Sequence, residues 1–211
     1  ATYHIAPPLF CDLGADLTVL GVKPNGLNIN KHSGSTHLDT LQKIVLSEKA
    51  DLGIAFDGDG DRVLMVDSLG EIVDGDELLF LLAQRGIKTG HIQGGVVGTA
   101  MSNLGLELAL NELGLAFIRT SVGDRYVNEA LQTKNWQLGG EASGHIISRR
   151  VSKTGDGIII ALQVLEAIQS SGLSLHNAKK AMKKFPQILI NIAAENPSAI
   201  VESPSIKKAI L

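Results

Sequence analysis

Residues 57–62 read Asp57-Gly58-Asp59-Gly60-Asp61-Arg62. They follow the apolar run DLGIAF (51–56) and lead into RVLMVD (62–67), two segments with the length and composition of buried strands. Carboxylates at every second position repel one another unless a cation or basic groups lie between them. The intervening glycines remove bulk and permit unusual φ/ψ, so the chain is free to curl all three carboxylates inward. All-oxygen ligation selects a hard ion, Mg²⁺ before Ca²⁺ or Mn²⁺. The competing reading is an acidic surface turn. An EF-hand is excluded, because its sixth position takes Gly where Arg62 stands and its twelfth takes Glu where Ser68 stands. In open α/β sheets ligands gather at the carboxyl ends of strands, which is where this loop falls. A Mg²⁺ site left open by three carboxylates takes a phosphate oxygen. Arg62 either forks onto a second phosphate oxygen or merely neutralises the loop.

Outward from this loop, short strand-like runs alternate with longer helical ones, the pattern of stacked βα units. Leu17–Val22 reads as a strand closed by the Pro24-Asn25-Gly26 turn, and residues 38–50 as an amphipathic helix. Asp74-Gly75-Asp76 opens a helix through Ala83 that Gly86 closes. A second series follows: a strand at 94–97, a helix at 102–113, a strand at 116–122 and a helix at 124–133. Residues 136–140 and 145–148 form a strand pair, Thr154-Gly155-Asp156-Gly157 caps an apolar helix at 158–168, and Phe185–Ile192 is a last strand before a linker at 197–204. Lys207–Leu211 reads as an interrupted helix. The fold class is α/β, two tandem domains of mixed β-sheet flanked by helices.

Composition narrows the function. The chain has 211 residues, 44% hydrophobic and 19% charged, which excludes a disordered chain. No apolar run approaches the ~20 residues of a membrane span, and no secretory leader is visible. A net charge of −3 and 4% aromatics argue against nucleic acid and anionic membranes as partners. Cys11, alone and in an expected helix, reads as a small packing residue. The absence of an initiator Met and the apolar start suggest a piece of a longer chain, and a cytoplasmic one.

Two further motifs carry chemistry. In Gly140-Glu141-Ala142-Ser143-Gly144-His145, a carboxylate and a hydroxyl two residues apart on an extended strand point the same way, which suits adjacent sugar hydroxyls. A tight hairpin with a polar tip is the alternative, with His145 structural. Ser121-Val122-Gly123-Asp124-Arg125-Tyr126 runs from strand into helix. There Asp124 is either an N-cap beside a solvated Arg125, or part of a turn that holds a phosphate. Lys31, His32 and His37 lack an orienting carboxylate and read as loop residues.

DGDGDR (57–62), TSVGDRYV (120–127) and GGEASGHI (139–146) together resemble the α-D-phosphohexomutase superfamily, most closely its glucosamine branch. PNGLNIN (24–30), VDGDELL (73–79) and KFPQILIN (184–191) are similar to the same family, so the resemblance covers nearly the whole chain. It implies domains two and three of a four-domain enzyme: a metal-loop domain at 1–88, a sugar-binding domain at 89–196, and a linker at 197–211 toward a missing C-terminal domain. It further implies Mg²⁺ on Asp57, Asp59 and Asp61, with the phosphate of a phosphoserine as next ligand and Arg62 as a catalytic group. Glu141 and Ser143 match the family's sugar contacts, His145 lies beside them, and Asp124 and Arg125 match the position that separates the branches. Ala142 departs from the Gln more usual in the glucosamine branch. The serine loop of domain one and the phosphate-grasping loop of domain four have no counterpart in these residues, so the chain alone is expected to be inactive.

The implied reaction is a reversible double phosphoryl transfer between glucosamine 6-phosphate and glucosamine 1-phosphate through a 1,6-bisphosphate, on the way to UDP-N-acetylglucosamine. The implied partners are a phosphorylated amino sugar, that bisphosphate and the flanking domains, with neither nucleic acid nor membrane. Phosphomannomutase or phosphoglucomutase activity is the nearest alternative. Asp57-x-Asp59 also resembles the nucleophile loop of haloacid-dehalogenase-type phosphatases, although Asp61 stands where that group carries Thr or Val.

Overall fold

In a computed structural model, which describes residues 2–190, 200 and 202–210, strands β1 (Leu52–Phe56) and β2 (Val63–Asp67) pair antiparallel with Phe56 opposite Val63. Residues 57–62 are therefore the loop that joins them. A short β3 (Ile72–Val73) completes a three-stranded antiparallel sheet in the order β1-β2-β3. Side chains alternate across it, as strand geometry requires. Val63 and Met65 enter the main core, with Leu52, Ile54 and Phe56 packed against it. Gly53 faces helix α2 (Asp39–Glu48), where a Cβ would lie 2.8 Å from Leu41 and Val45 side-chain atoms. Helix α1 (Ala6–Asp12) contributes Ala6 and Phe10, one turn apart, to the same core. Cys11, a third of a turn round from Phe10, is exposed, which corrects its reading as a packing residue.

The second sheet is mixed. Strand β4 (Gly95–Thr99) runs parallel to β5 (Ala116–Thr120) and β6 (Leu138–Gly140), and β6 turns back antiparallel into β7 (Ile146–Ser148), in the order β5-β4-β6-β7. Period-two alternation divides its faces. Val96, Leu138 and Ile146 join the main core, whereas Val97 and Ile147 meet Val127 and Leu131 of helix α5 (Asp124–Lys134) in a smaller cluster with Trp136.

Helix α3 (Gly75–Lys88) starts on a full capping box. The Asp74 side chain accepts from the N–H groups of Asp76 and Glu77, and Glu77 Oε2 accepts from Asp74 N–H at 3.0 Å. It runs through Gly86 to Lys88 rather than stopping near Ala83. A Cβ at Gly86 would lie 2.4 Å from Ile92, so the missing side chain makes room for packing and does not end the helix. α3 packs on α4 (Leu104–Glu112), on β6, on α6 (Gly157–Ser171) and on α7 (Leu175–Lys179). α6 begins at the N-cap Asp156 and also packs against β1 and β2.

Among the described residues two expected strands do not form. Leu17, Val19 and Leu20 are exposed and pair with no strand among the described residues. Phe185 is held instead by Asn103, whose Oδ1 accepts from Phe185 N–H at 2.9 Å and whose Nδ2 donates to Phe185 O at 2.8 Å. Beyond it Ile188, Leu189 and Ile190 stand exposed, and Asn191 and Ile192 lie outside the described residues. Of the expected linker, residues 197–199 and 201 are outside them too, as is Leu211. Helix α8 (Pro204–Ile210) covers most of the expected interrupted helix.

Candidate functional site

The Asp/Gly loop is folded by its own backbone. Asp57 Oδ1 accepts from Gly60 N–H and from Arg62 N–H, both at 3.1 Å, which curls the loop back on its first residue. Gly60 has φ +82°, a left-handed conformation that favours glycine. One carboxylate oxygen from each of Asp57, Asp59 and Asp61 lies within 4.8 Å of the others. Asp61 Oδ1 is buried with no hydrogen-bond partner, and Arg62 Nε stands 3.9 Å from Asp57 Oδ2. Three converging carboxylates, one with an orphaned oxygen, suit a hard cation.

The Glu141–His145 segment is a turn between β6 and β7 and not an extended strand, so the alternation argument for Glu141 and Ser143 is replaced. Gly144 N–H donates to Glu141 O at 3.0 Å and closes the turn. The buried carboxylate of Glu141 accepts from Gly123 N–H at 2.9 Å, while Ser143 is exposed. The turn is clamped from both sides. Gly75 N–H donates to Ala142 O at 3.0 Å, and Val63 N–H to Gly144 O at 3.1 Å. A Cβ at Gly75 would lie 2.0 Å from Glu141 O, so only glycine lets α3 approach this closely.

Asp76, in the first turn of α3, accepts from Asn103 N–H at 2.7 Å. Burial pushes its carboxyl up to about 6; the Asn103 hydrogen bond opposes that and the neighbouring Asp74 adds to it.

His145 is buried, and its Nδ1 lies 3.0 Å from Asp61 Oδ2. The two residues open onto a cavity of about 200 Å³ lined also by Asp124, Arg125, Asn128, Ile147, Lys153, Thr154 and Gly155. Gly123, not Asp124, is the N-cap of α5, and the exposed Arg125 pairs with Glu129 at 2.8 Å. The structure thus gathers Asp61, His145, Asp124 and Arg125 round one cavity, with Glu141 and Ser143 outside its lining. Lys153, Thr154 and Gly155 were not read as site residues, because Thr154-Gly155-Asp156-Gly157 reads in sequence as a helix cap and nothing more. Lys31, His32 and His37 are loop residues, and His37 Nδ1 bonds only to Thr36 Oγ1, at 3.1 Å.

A second group, Asp67, Glu71 and His176, has ligand atoms equally close together. Lys179 Nζ, 2.8 Å from both carboxylates, already fills its centre. Burial works against ionised Asp67, but hydrogen bonds from Lys179 and His176 outweigh it and hold the carboxyl below its usual range. This group pins α7 to the β2–β3 turn.

The chain belongs to the phosphoglucomutase/phosphomannomutase family: the family's α/β/α domain III matches residues 74–185 and its domain II residues 3–70. Within it, the chain is 58% identical over 209 residues to phosphoglucosamine mutase of Pseudomonas aeruginosa (strain LESB58), covering 99% of this chain and 47% of that protein. Phosphoglucosamine mutase 2 of Shewanella sp. (strain MR-7) is 55% identical over 213 residues, with 47% of its length covered. The chain spans about half the length of the curated relatives it matches. Among solved structures, a phosphoglucomutase/phosphomannomutase family protein from Burkholderia thailandensis has TM-score 0.77 and 25% identity over 85% of this chain and 40% of its own. The Aspergillus fumigatus N-acetylphosphoglucosamine mutase in complex with GlcNAc-6P and magnesium shares the fold, with TM-score 0.67 and 21% identity over 89% of this chain and 47% of its own. Membership in this family removes the haloacid-dehalogenase reading. Among the described residues no helix is long and apolar enough to cross a membrane.

Proposed function

We propose that this chain is the metal-loop and sugar-binding portion of a cytoplasmic enzyme that interconverts glucosamine 6-phosphate and glucosamine 1-phosphate. The observation that carries the reading is the approach of Asp57, Asp59 and Asp61 within 4.8 Å, on a loop tied to the Glu141–His145 turn. These three carboxylates would hold Mg²⁺, which when bound supplies charge stabilisation to phosphoryl oxygens. Arg62, partly exposed beside Asp57, offers its guanidinium to a phosphoryl oxygen. Ser143 presents its hydroxyl to a sugar hydroxyl, and Glu141 exchanges the Gly123 N–H for another. Asp124, Arg125 and His145 wall the adjacent cavity. The phosphoserine donor, the phosphate-grasping loop and the 1,6-bisphosphate intermediate involve flanking domains outside these residues. Relatives at 55–58% identity that are phosphoglucosamine mutases favour glucosamine over the mannose and glucose phosphates.

We place the division at residues 71–73 rather than at 88, because the family's domain II matches 3–70 and its domain III 74–185, and α3 packs chiefly on α4, β6, α6 and α7. The test is a chimera in which this chain replaces the matching 209 residues of the P. aeruginosa enzyme. The chimera is expected to convert glucosamine 6-phosphate in preference to the glucose and mannose analogues. A folded chimera that prefers either analogue would overturn the assignment.

A further inference from the structure

We propose that Asn103 is a positioning residue for the reaction, acting through the segment that leaves at Phe185 and touching neither sugar nor metal. The inference rests on the reading above, in which the grip on the distal phosphate lies beyond these residues. Three bonds orient its buried amide. Oδ1 accepts from Gly105 N–H and from Phe185 N–H, both at 2.9 Å, and Nδ2 donates to Phe185 O at 2.8 Å. The side chain therefore caps α4 and also holds both polar backbone groups of Phe185, as a neighbouring strand would. Further contacts tighten the hold. Gln187 Nε2 donates to Met101 O at 3.0 Å, and Lys184 Nζ donates to Glu77 Oε2 at 3.3 Å and pairs with Asp74. A Cβ at Gly105 would lie 2.0 Å from Lys183 O, so glycine there lets the segment lie against the start of α4. Pro186 adds stiffness, because its ring fixes its own φ and keeps the residue before it extended. On its other side, Asn103 N–H donates to Asp76 Oδ2 at 2.7 Å, in the same turn of α3 whose Gly75 N–H holds Ala142 O. The leaving segment and the β6–β7 turn thus stand on one helical turn. Asn103 sets the direction in which the chain after Phe185, and the phosphate grip it would carry, starts relative to the sugar contacts.

The test variant is Asn103→Ser, which keeps a capping side chain for α4 but is too short to hold Phe185 as well. Two measurements read it, with circular dichroism as the check on folding. In the 211-residue chain carrying Cys11→Ser and Ile188→Cys, a nitroxide at the exposed position 188 reports the motion of the segment by its electron paramagnetic resonance line shape. The label is expected to be slow in the parent and fast with Asn103→Ser; equal line shapes overturn the anchoring. In the chimera, Asn103→Ser is expected to raise KM for glucosamine 6-phosphate about tenfold, the order of one residue's backbone ordering, with kcat within about threefold. An unchanged KM, or a fall in kcat at unchanged KM as a merely structural defect would give, overturns the positioning role. If the parent chimera is inactive or prefers another sugar phosphate, the functional reading falls, and the line shapes still decide whether Asn103 anchors the segment. Should Asn103→Ser unfold, the double variant Lys184→Met/Gln187→Ala loosens the same segment without touching the α4 cap. Parent-like line shape and KM in that variant overturn the inference.

Discussion

Glu141 Oε1 accepts a hydrogen bond at 2.9 Å from the N–H of Gly123, the residue that caps α5. That carboxylate anchors the helix that lines the cavity, and in the proposed reading it trades this bond for one to a sugar hydroxyl. A hydrogen bond to a charged group contributes about 1.5–3 kcal/mol. Glu141→Ala should lower stability by about that amount in thermal denaturation. In the chimera it should depress turnover of glucosamine, glucose and mannose phosphates together, since the hydroxyls concerned are common to all three. A loss confined to one sugar would assign Glu141 to selectivity.

Asp59 is the exposed member of the three loop aspartates. Asp59→Asn should reduce turnover of the chimera by orders of magnitude. Its effect on melting should stay within about 0.5 kcal/mol, as for other surface substitutions. In chelator at low salt it should be neutral or slightly stabilising, because it removes like-charge repulsion. A strongly destabilised variant would make the loop structural.

Asp76 gives a pH dependence of unusual sign. Its folded pKa of about 6 exceeds the ordinary 3.8, so the native state takes up a proton that the unfolded state does not. Its contribution is fully present below pH 3.8 and is lost as pH rises through about 6. Asp76→Asn keeps an acceptor for Asn103 N–H and removes the buried charge. It should stabilise the chain at pH 8 by on the order of 1–3 kcal/mol and flatten stability between pH 4 and about 6, read by chemical denaturation across that range.

Asp67 behaves oppositely. Its depressed pKa supports the fold above about pH 4, and that support disappears as pH falls further. Lys179, whose pKa is raised despite burial because it donates hydrogen bonds to Asp67 and Glu71, gives support that is lost only in strong alkali. Lys179→Met leaves the buried Asp67 carboxylate with His176 as its remaining side-chain partner and should lower stability at pH 7, by less than the ~3–5 kcal/mol of a fully unpaired buried charge. Acid titration of its melting temperature should show a smaller drop below pH 4 than in the parent.

The isolated chain should show no mutase turnover with Mg²⁺, sugar 1,6-bisphosphate and glucosamine 6-phosphate. In the proposed reading the phosphoserine donor and the loop that grips the distal phosphate belong to flanking domains, and turnover needs both. Appearance of glucosamine 1-phosphate at the rate of an intact relative would overturn the donor role given to an outside serine.

What sequence revealed was local in sequence. The Asp57–Asp61 alternation declares itself within five residues, and the Asp74/Glu77 capping box within four. Leu17–Val22 and residues 185–190 mislead because β-branched, apolar composition states a readiness to pair and cannot supply a partner. Gly86 misleads because its role is room for Ile92. The contacts that build the site, Asp61 with His145 and Glu141 with Gly123, join residues far apart in the chain, and no spacing announces them. The strand alternation that pairs Glu141 with Ser143 in the sequence is replaced by a turn, so their sugar-binding role rests on the family resemblance.

Val63 and Met65 of the first sheet share a core with Val96, Leu106, Leu138 and Ile146 from beyond residue 73. The two family segments are thus one cooperative unit, which should melt in a single calorimetric transition. Expressed apart, each half would show bare hydrocarbon to water and aggregate. If the proposed enzyme closes round its substrate, a hydrocarbon core shared across the junction puts the hinge somewhere other than between these two segments.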